Sequence, residues 1–177
     1  MTEPSADKPA SPAEPGAAAA PPLMVSAQYV KDLSFENPRA PASFGEARNQ
    51  APKIDIGVNV GARQLQDKLF EVVLALRAQA ETANGPLFLA EVQYAGLFTV
   101  GDVPQPTVEP LLLIQGPQLL FPFARAVIAE SIREGGFAPL LVQPIDFVAL
   151  YRQRQQQEQK GAPDGPTPGS NGSGGEA

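Results

Sequence analysis

The chain has 177 residues and contains no Cys, His or Trp. Those absences exclude thiol nucleophiles, His-based triads, thiolate or imidazole zinc sites, axial-His haem and disulfides. The net charge of -6, from 13 Lys+Arg against 19 Asp+Glu, disfavours non-specific attraction to nucleic acid or anionic lipid and suits a basic partner.

Residues 1–22 hold six Pro and seven Ala, and residues 161–177 hold six Gly and three Pro. Neither segment can bury enough apolar surface to offset the entropy of ordering it, so both are expected to be disordered tails around one domain, 23–160. The N-terminus lacks the basic and apolar regions of a secretory signal. No stretch reads as the roughly 18 apolar residues of a bilayer span, so a soluble cytoplasmic chain without membrane insertion is expected.

Residues 24–36 read as a strand with Tyr29, Leu33 and Phe35 on one side and Val30, Asp32, Ser34 and Glu36 on the other. Residues 37–52 carry Pro38, Pro41 and Pro52 and are too long for a plain turn, the kind of connection that is functional or disordered. In 53–60, Ile54, Ile56, Val58 and Val60 alternate with Lys53, Asp55, Gly57 and Asn59, a half-buried strand. Phe70, Val72, Leu74 and Leu76 alternate in the same way. Asn84-Gly85 then joins this run to Phe88, Ala90, Val92 and Tyr94 as a hairpin.

After the turn-rich 101–107 the period changes. Leu111–Ile114 forms a first short helix broken near Gly116-Pro117. Leu120, Ala124, Val127, Ile128 and Ile132 stripe a second helix, which Gly135-Gly136 stops. A last helix opens at Asp146, an N-cap, buries Phe147, Leu150 and Tyr151, and is polar from Arg152 to Lys160. Strands followed by helices give an α+β class: an antiparallel sheet with a helical layer on one face.

Chemistry is sparse. GARQLQDKLF lacks the second Gly and the Lys-Ser/Thr pair of a phosphate loop. Asp32, Glu36 and Glu91 could form an acid/base pair, but each falls on an alternating strand face that is ordinarily solvated. No compact acidic loop offers the oxygens a metal needs, so neither a metal nor a cofactor is expected. Leu87 and Leu89 share the face of Glu91 by alternation, so this strand is apolar on both sides. That pattern fits a subunit contact, or a docking site in which an apolar anchor is rimmed by carboxylates. The segment FAPLLVQP, 137–144, either covers the end of the core or lines an adaptable apolar cleft.

Five segments together resemble the SecB family of export chaperones: YVKDLSFENPRAP (Tyr29–Pro41), LFEVVLALRAQA (Leu69–Ala80), FLAEVQYAGLFTV (Phe88–Val100), LLFPFAR (Leu119–Arg125) and GGFAPLLVQPIDFVALY (Gly135–Tyr151). The resemblance implies a four-stranded SecB-like fold assembled as a homotetramer, a dimer of dimers. It implies a non-enzymatic, ATP-independent cytoplasmic holdase that binds unfolded secretory precursors in apolar grooves and delivers them to the SecA translocase ATPase. It places SecA docking on Asp32, Glu36, Leu89 and Glu91, and the client groove on Phe44, Ile54, Ile56, Phe137, Leu140, Leu141, Phe147 and Leu150. Residues 42–52 depart most from the family pattern and lack a Trp expected nearby. The same fold could instead serve a single client, such as the antitoxin of a toxin-antitoxin pair. A hydrolase built on Asp32, Glu36 or Glu91 has no polar cluster from several segments to support it.

The two tails carry -2 each, so the remaining chain carries only -2. The case for a basic partner therefore rests on where the carboxylates sit.

Overall fold

The computed structural model describes residues 21–161. Of the tails expected at 1–22 and 161–177, residues 1–20 and 162–177 lie outside the described residues. Four antiparallel strands, β1 (Leu23–Glu36), β2 (Lys53–Gln66), β3 (Leu69–Thr82) and β4 (Gly85–Val100), form one sheet in the order β1-β4-β3-β2. The chain must therefore cross the hairpin end of the sheet between its two edge strands. The 37–52 connection does so and contains a helix, α1 (Ala42–Asn49).

Both hairpins are tight. Thr82 pairs with Gly85 across a turn at Ala83–Asn84, one residue before the position that Asn84-Gly85 suggests, and Gly85 has φ +114, which favours glycine. The β2–β3 turn at Asp67–Lys68 has no glycine. Lys68 takes φ 59 itself, and its Nζ lies 2.6 Å from Asp102 Oδ1. β2 consequently runs six residues past Val60, to Gln66.

Two irregularities correct the alternation read from sequence. Register shifts between Val30 and Asp32 on β1, so Lys31 is an extra residue. Tyr29, opposite Ala95, thus shares a face with Asp32 and not with Leu33 and Phe35. A second shift, between Ala80 and Glu81, leaves Leu87 unpaired on β4 and fully buried. Leu87 and Leu89 are therefore not equivalent.

Helices cover one face. α2 (Gln105–Pro110), a π-helical turn (Leu111–Gln115) and α3 (Gly116–Glu134) run on without the break expected at Gly116-Pro117. The Gly116 N–H bonds to Leu111 O, five residues back, and this π-helical turn directly before Pro117 lets the helix run on past a residue that has no N–H to donate. This continuous 30-residue helix is long and apolar enough to cross a membrane, contrary to the sequence-based expectation, yet half of its apolar window is buried in the molecule. Leu120, Ala124, Ile128 and Ile132 are fully buried in the core with Val72, Leu74, Leu76 and Val92. Gly96 on β4 lets α3 come close, since a Cβ there would meet Leu120 at 2.9 Å and Phe98 at 2.7 Å. α4 (Phe147–Gly161) is capped as expected: Asp146 Oδ1 accepts from the Val148 and Ala149 N–H groups at 3.0 Å.

Candidate functional site

The uncovered face of the sheet carries the acidic residues singled out from sequence. Antiparallel register sets them in neighbouring cross-strand rows: Asp32–Gln93–Ala75–Asn59, then Ser34–Glu91–Arg77–Gly57, then Glu36–Leu89–Gln79–Asp55. Asp32, Glu36, Leu89 and Glu91, spread over nearly sixty positions of sequence, thus share one patch on β1 and β4. Asp32 and Glu36 are exposed and Leu89 is half-buried. Glu91 lies 3.3 Å from the Arg77 guanidinium, and the two side chains are 43% and 55% exposed. A depression of about 320 Å³ opens beside them, with Asp32, Glu91, Gln93, Asn59 and Arg77 around small residues Gly57 and Ala75.

Farther along the same face, Glu71 behaves differently. Its side chain is only 3% exposed, and it accepts hydrogen bonds from Lys31 Nζ at 2.8 Å, Arg63 Nε at 2.7 Å and the Tyr29 hydroxyl. The Lys31 bond first, then the Tyr29 bond, hold its pKa down to about 2 against partial desolvation. The same hydrogen bond raises the Tyr29 pKa. Glu71 ties the two edge strands to the centre of the sheet and consumes the charge of Lys31, the residue next to Asp32.

The residues proposed from sequence for a client groove divide among several places on the helical side. Phe44 of α1 and Phe137 of the loop after α3 lie with ring centroids 5.4 Å apart. Phe88 of β4 is 4.9 Å from Phe137, and Phe35 of β1 is 6.0 Å from Phe88, so four phenylalanines form one cluster. Arg39 and Thr82 both reach Glu46 of α1, fixing the connection against the hairpin. Ile54 and Ile56 lie in the rows Phe88–Ala80–Ile54 and Phe35–Ala90–Ala78–Ile56, and they remain 38% and 40% exposed.

Leu150 faces a separate cleft of about 330 Å³ between β2 and α4, with Val58, Val60, Leu113 and Tyr151. Arg154 of α4 closes one end of it by donating to Val60 O at 3.1 Å. Leu140 packs partly buried on the core. Leu141, 73% exposed, lies instead on the outer side of α3 beside Pro122 and Ala126. Phe147 is 2% exposed and fills the core against Phe121. Among the described residues there is no group of three acidic side chains arranged to hold a metal.

A sequence profile for the preprotein translocase subunit SecB matches residues 16–158. The chain belongs to the SecB family. It is 51% identical over 152 residues to the protein-export protein SecB of Rhodopseudomonas palustris strain BisB5, covering 85% of this chain and 96% of the relative. The SecB of Bradyrhizobium diazoefficiens is 51% identical over 144 residues, 81% of this chain and 89% of its own. That of Granulibacter bethesdensis is 48% identical over 157 residues, 84% and 91%. Among solved structures, a SecB-like chaperone of Mycobacterium tuberculosis, in complex with a peptide from an antitoxin, superposes with a TM-score of 0.59 at 14% identity, over 70% of this chain and 90% of that one. The antiparallel sheet with its helical layer is thus the SecB-like fold, and the function is that of a chaperone in protein export.

Two sets of residues in this SecB-family site escape the sequence reading. Phe35 and Phe88 lie on the apolar strand faces expected of them, but their meeting with Phe44 and Phe137 depends on a non-local crossover. Glu71 and Arg77 alternate with Phe70, Val72, Leu74 and Leu76, and nothing in that alternation marks either of them. A hairpin turning at 83–84 would by itself set Arg77 opposite Ala90, and it is the shift between Ala80 and Glu81 that brings Arg77 opposite Glu91.

Proposed function

We propose that the chain is a non-enzymatic, ATP-independent cytoplasmic holdase that binds unfolded secretory precursors on its helical side and docks SecA through Asp32, Glu36, Leu89 and Glu91. The observation that carries this reading is the separation of two surfaces by the thickness of one sheet. An acidic patch with a half-buried leucine lies on the bare face, and an aromatic cluster flanked by exposed Ile54 and Ile56 lies on the other. A basic partner can therefore dock without displacing a client. Many weak apolar contacts along one client add through effective concentration, and release then needs only a competing partner.

Assembly as a dimer of dimers belongs to the same proposal. Leu119 and Phe123 on α3 and the neighbouring Leu141 are exposed. Exposed apolar side chains of this kind suit a second copy. Calorimetric titration of SecA into the wild type and Glu91→Lys tests the docking surface: binding is expected to weaken at least tenfold, and unchanged binding would sink the assignment. Light scattering should give four times the chain mass.

A second reading keeps the fold and narrows the clients to one, as in an antitoxin-dedicated chaperone. It is favoured by the fold likeness to the Mycobacterium tuberculosis protein bound to an antitoxin peptide. Cross-linking and client profiling in cells separate the two, since a single dominant client would contradict the general export role.

A further inference from the structure

The acidic patch contains a cation of its own. Arg77 projects from β3 directly opposite Glu91, with Nε 3.3 Å from Oε1, and its Nη2 donates to Gln79 Oε1 at 3.3 Å. The other cations around the patch are committed elsewhere. Lys31, next to Asp32 in sequence, and Arg63 are bound to Glu71, and Lys53 lies 3.8 Å from Glu81. Arg77 is therefore the one basic side chain, among the described residues, that stands in the three rows holding Asp32, Glu36 and Glu91. It also lines the depression that these rows enclose, together with both Asp32 and Glu91.

We propose that Arg77 is an internal competitor for the docking carboxylate. It occupies Glu91 while the surface is free, and the Arg or Lys side chain of a basic partner displaces it from Glu91 on docking. The assignment rests on the docking reading above. Both members of the pair are about half exposed, so the bond is screened and opens at little cost. Gln79 keeps a hold on the released guanidinium, and the small residues Gly57 and Ala75 leave room for the incoming side chain. Arg77 thereby lowers affinity for any basic partner and raises selectivity for those carrying several cations, because a single incoming charge merely exchanges with the one already there.

The test is a double-mutant cycle measured by calorimetric titration of SecA into Arg77→Gln, Glu91→Gln and the double variant, at low and high salt. Competition predicts that Arg77→Gln tightens binding roughly threefold at low salt. The gain should shrink at high salt and largely vanish in the Glu91→Gln background. Equal gains in both backgrounds would mean only generic repulsion between Arg77 and the partner, and would overturn the proposal. So would unchanged or weaker binding by Arg77→Gln while Glu91→Gln weakens it, a result that leaves the docking surface standing. If neither variant changes binding, the docking surface itself is wrong and the proposal falls with it. Arg77→Lys, which keeps the charge, should bind like the wild type, and unfolding midpoints monitor the fold of each variant.

Discussion

Glu71 and Glu91 stand on adjacent central strands, on the same bare face of one sheet, and have opposite fates. Glu71 is sealed under Tyr29, Lys31 and Arg63 and has its hydrogen-bonding capacity filled by three donors. Glu91 keeps nearly half its surface and one ion partner at 3.3 Å. A buried carboxylate saturated by donors holds the fold and cannot be shared, whereas an exposed one with a single weak partner can exchange it. Leu87 and Leu89 repeat the contrast in apolar terms. Two positions apart, they are separated by a register shift that sends Leu87 into the interior and leaves Leu89 half-buried in the acidic patch.

The largest expected effect falls on the leucines. Leu87→Ala empties part of a fully buried site and should cost about 2–5 kcal/mol of stability, with SecA affinity unchanged in the fraction that remains folded. Leu89→Ala should do the reverse, weakening SecA binding several-fold while moving the denaturant midpoint little. Equal loss of stability in both variants would break the contrast.

Glu71 comes next. Glu71→Ala leaves Lys31, Arg63 and Tyr29 without their acceptor and should cost about 1–3 kcal/mol, since the two cations reach water in part. The pH dependence has a definite sign. The folded-state pKa is about 2, against an ordinary value of 4.5, so the stabilisation is fully present above pH 4.5 and is lost as the pH falls from there toward 2. Urea denaturation of the wild type and Glu71→Gln across that interval should show the wild type losing its advantage as the medium is acidified. A constant difference between the two proteins down to pH 2 would refute the assignment.

How much of this was legible in the sequence follows from which interactions are local. Period-two alternation put Asp32 and Glu36 on one face of β1, and Glu91 with Leu89 on one face of β4, and both placements hold. Alternation alone says nothing about an inserted residue, so it puts Tyr29 and Leu87 on the wrong faces where Lys31 and the Ala80/Glu81 shift break the count. Gly116-Pro117 read as a helix break because proline stops a helix from within, but here it follows a π-helical turn and breaks nothing. The aromatic cluster needed the crossover of residues 37–52, and a pattern read one segment at a time cannot reveal which two connections meet. Glu71 was hidden for the same reason, since its donors come from both edge strands.

The smallest effect links the two carboxylates. Glu71→Gln preserves the shape of the cluster but removes the charge that holds Lys31 and Arg63. Lys31 follows directly on the Val30/Asp32 register shift, beside Asp32. Freed from Glu71, it becomes a second cation at the edge of the acidic patch, alongside Arg77. SecA binding by Glu71→Gln should therefore weaken about twofold at low salt and recover as salt screens the new repulsion. Lys31→Gln in the same background should restore the affinity. Weakening that persists at high salt, or that Lys31→Gln fails to reverse, would mean that Glu71 shapes the patch through sheet geometry and not by withholding charge.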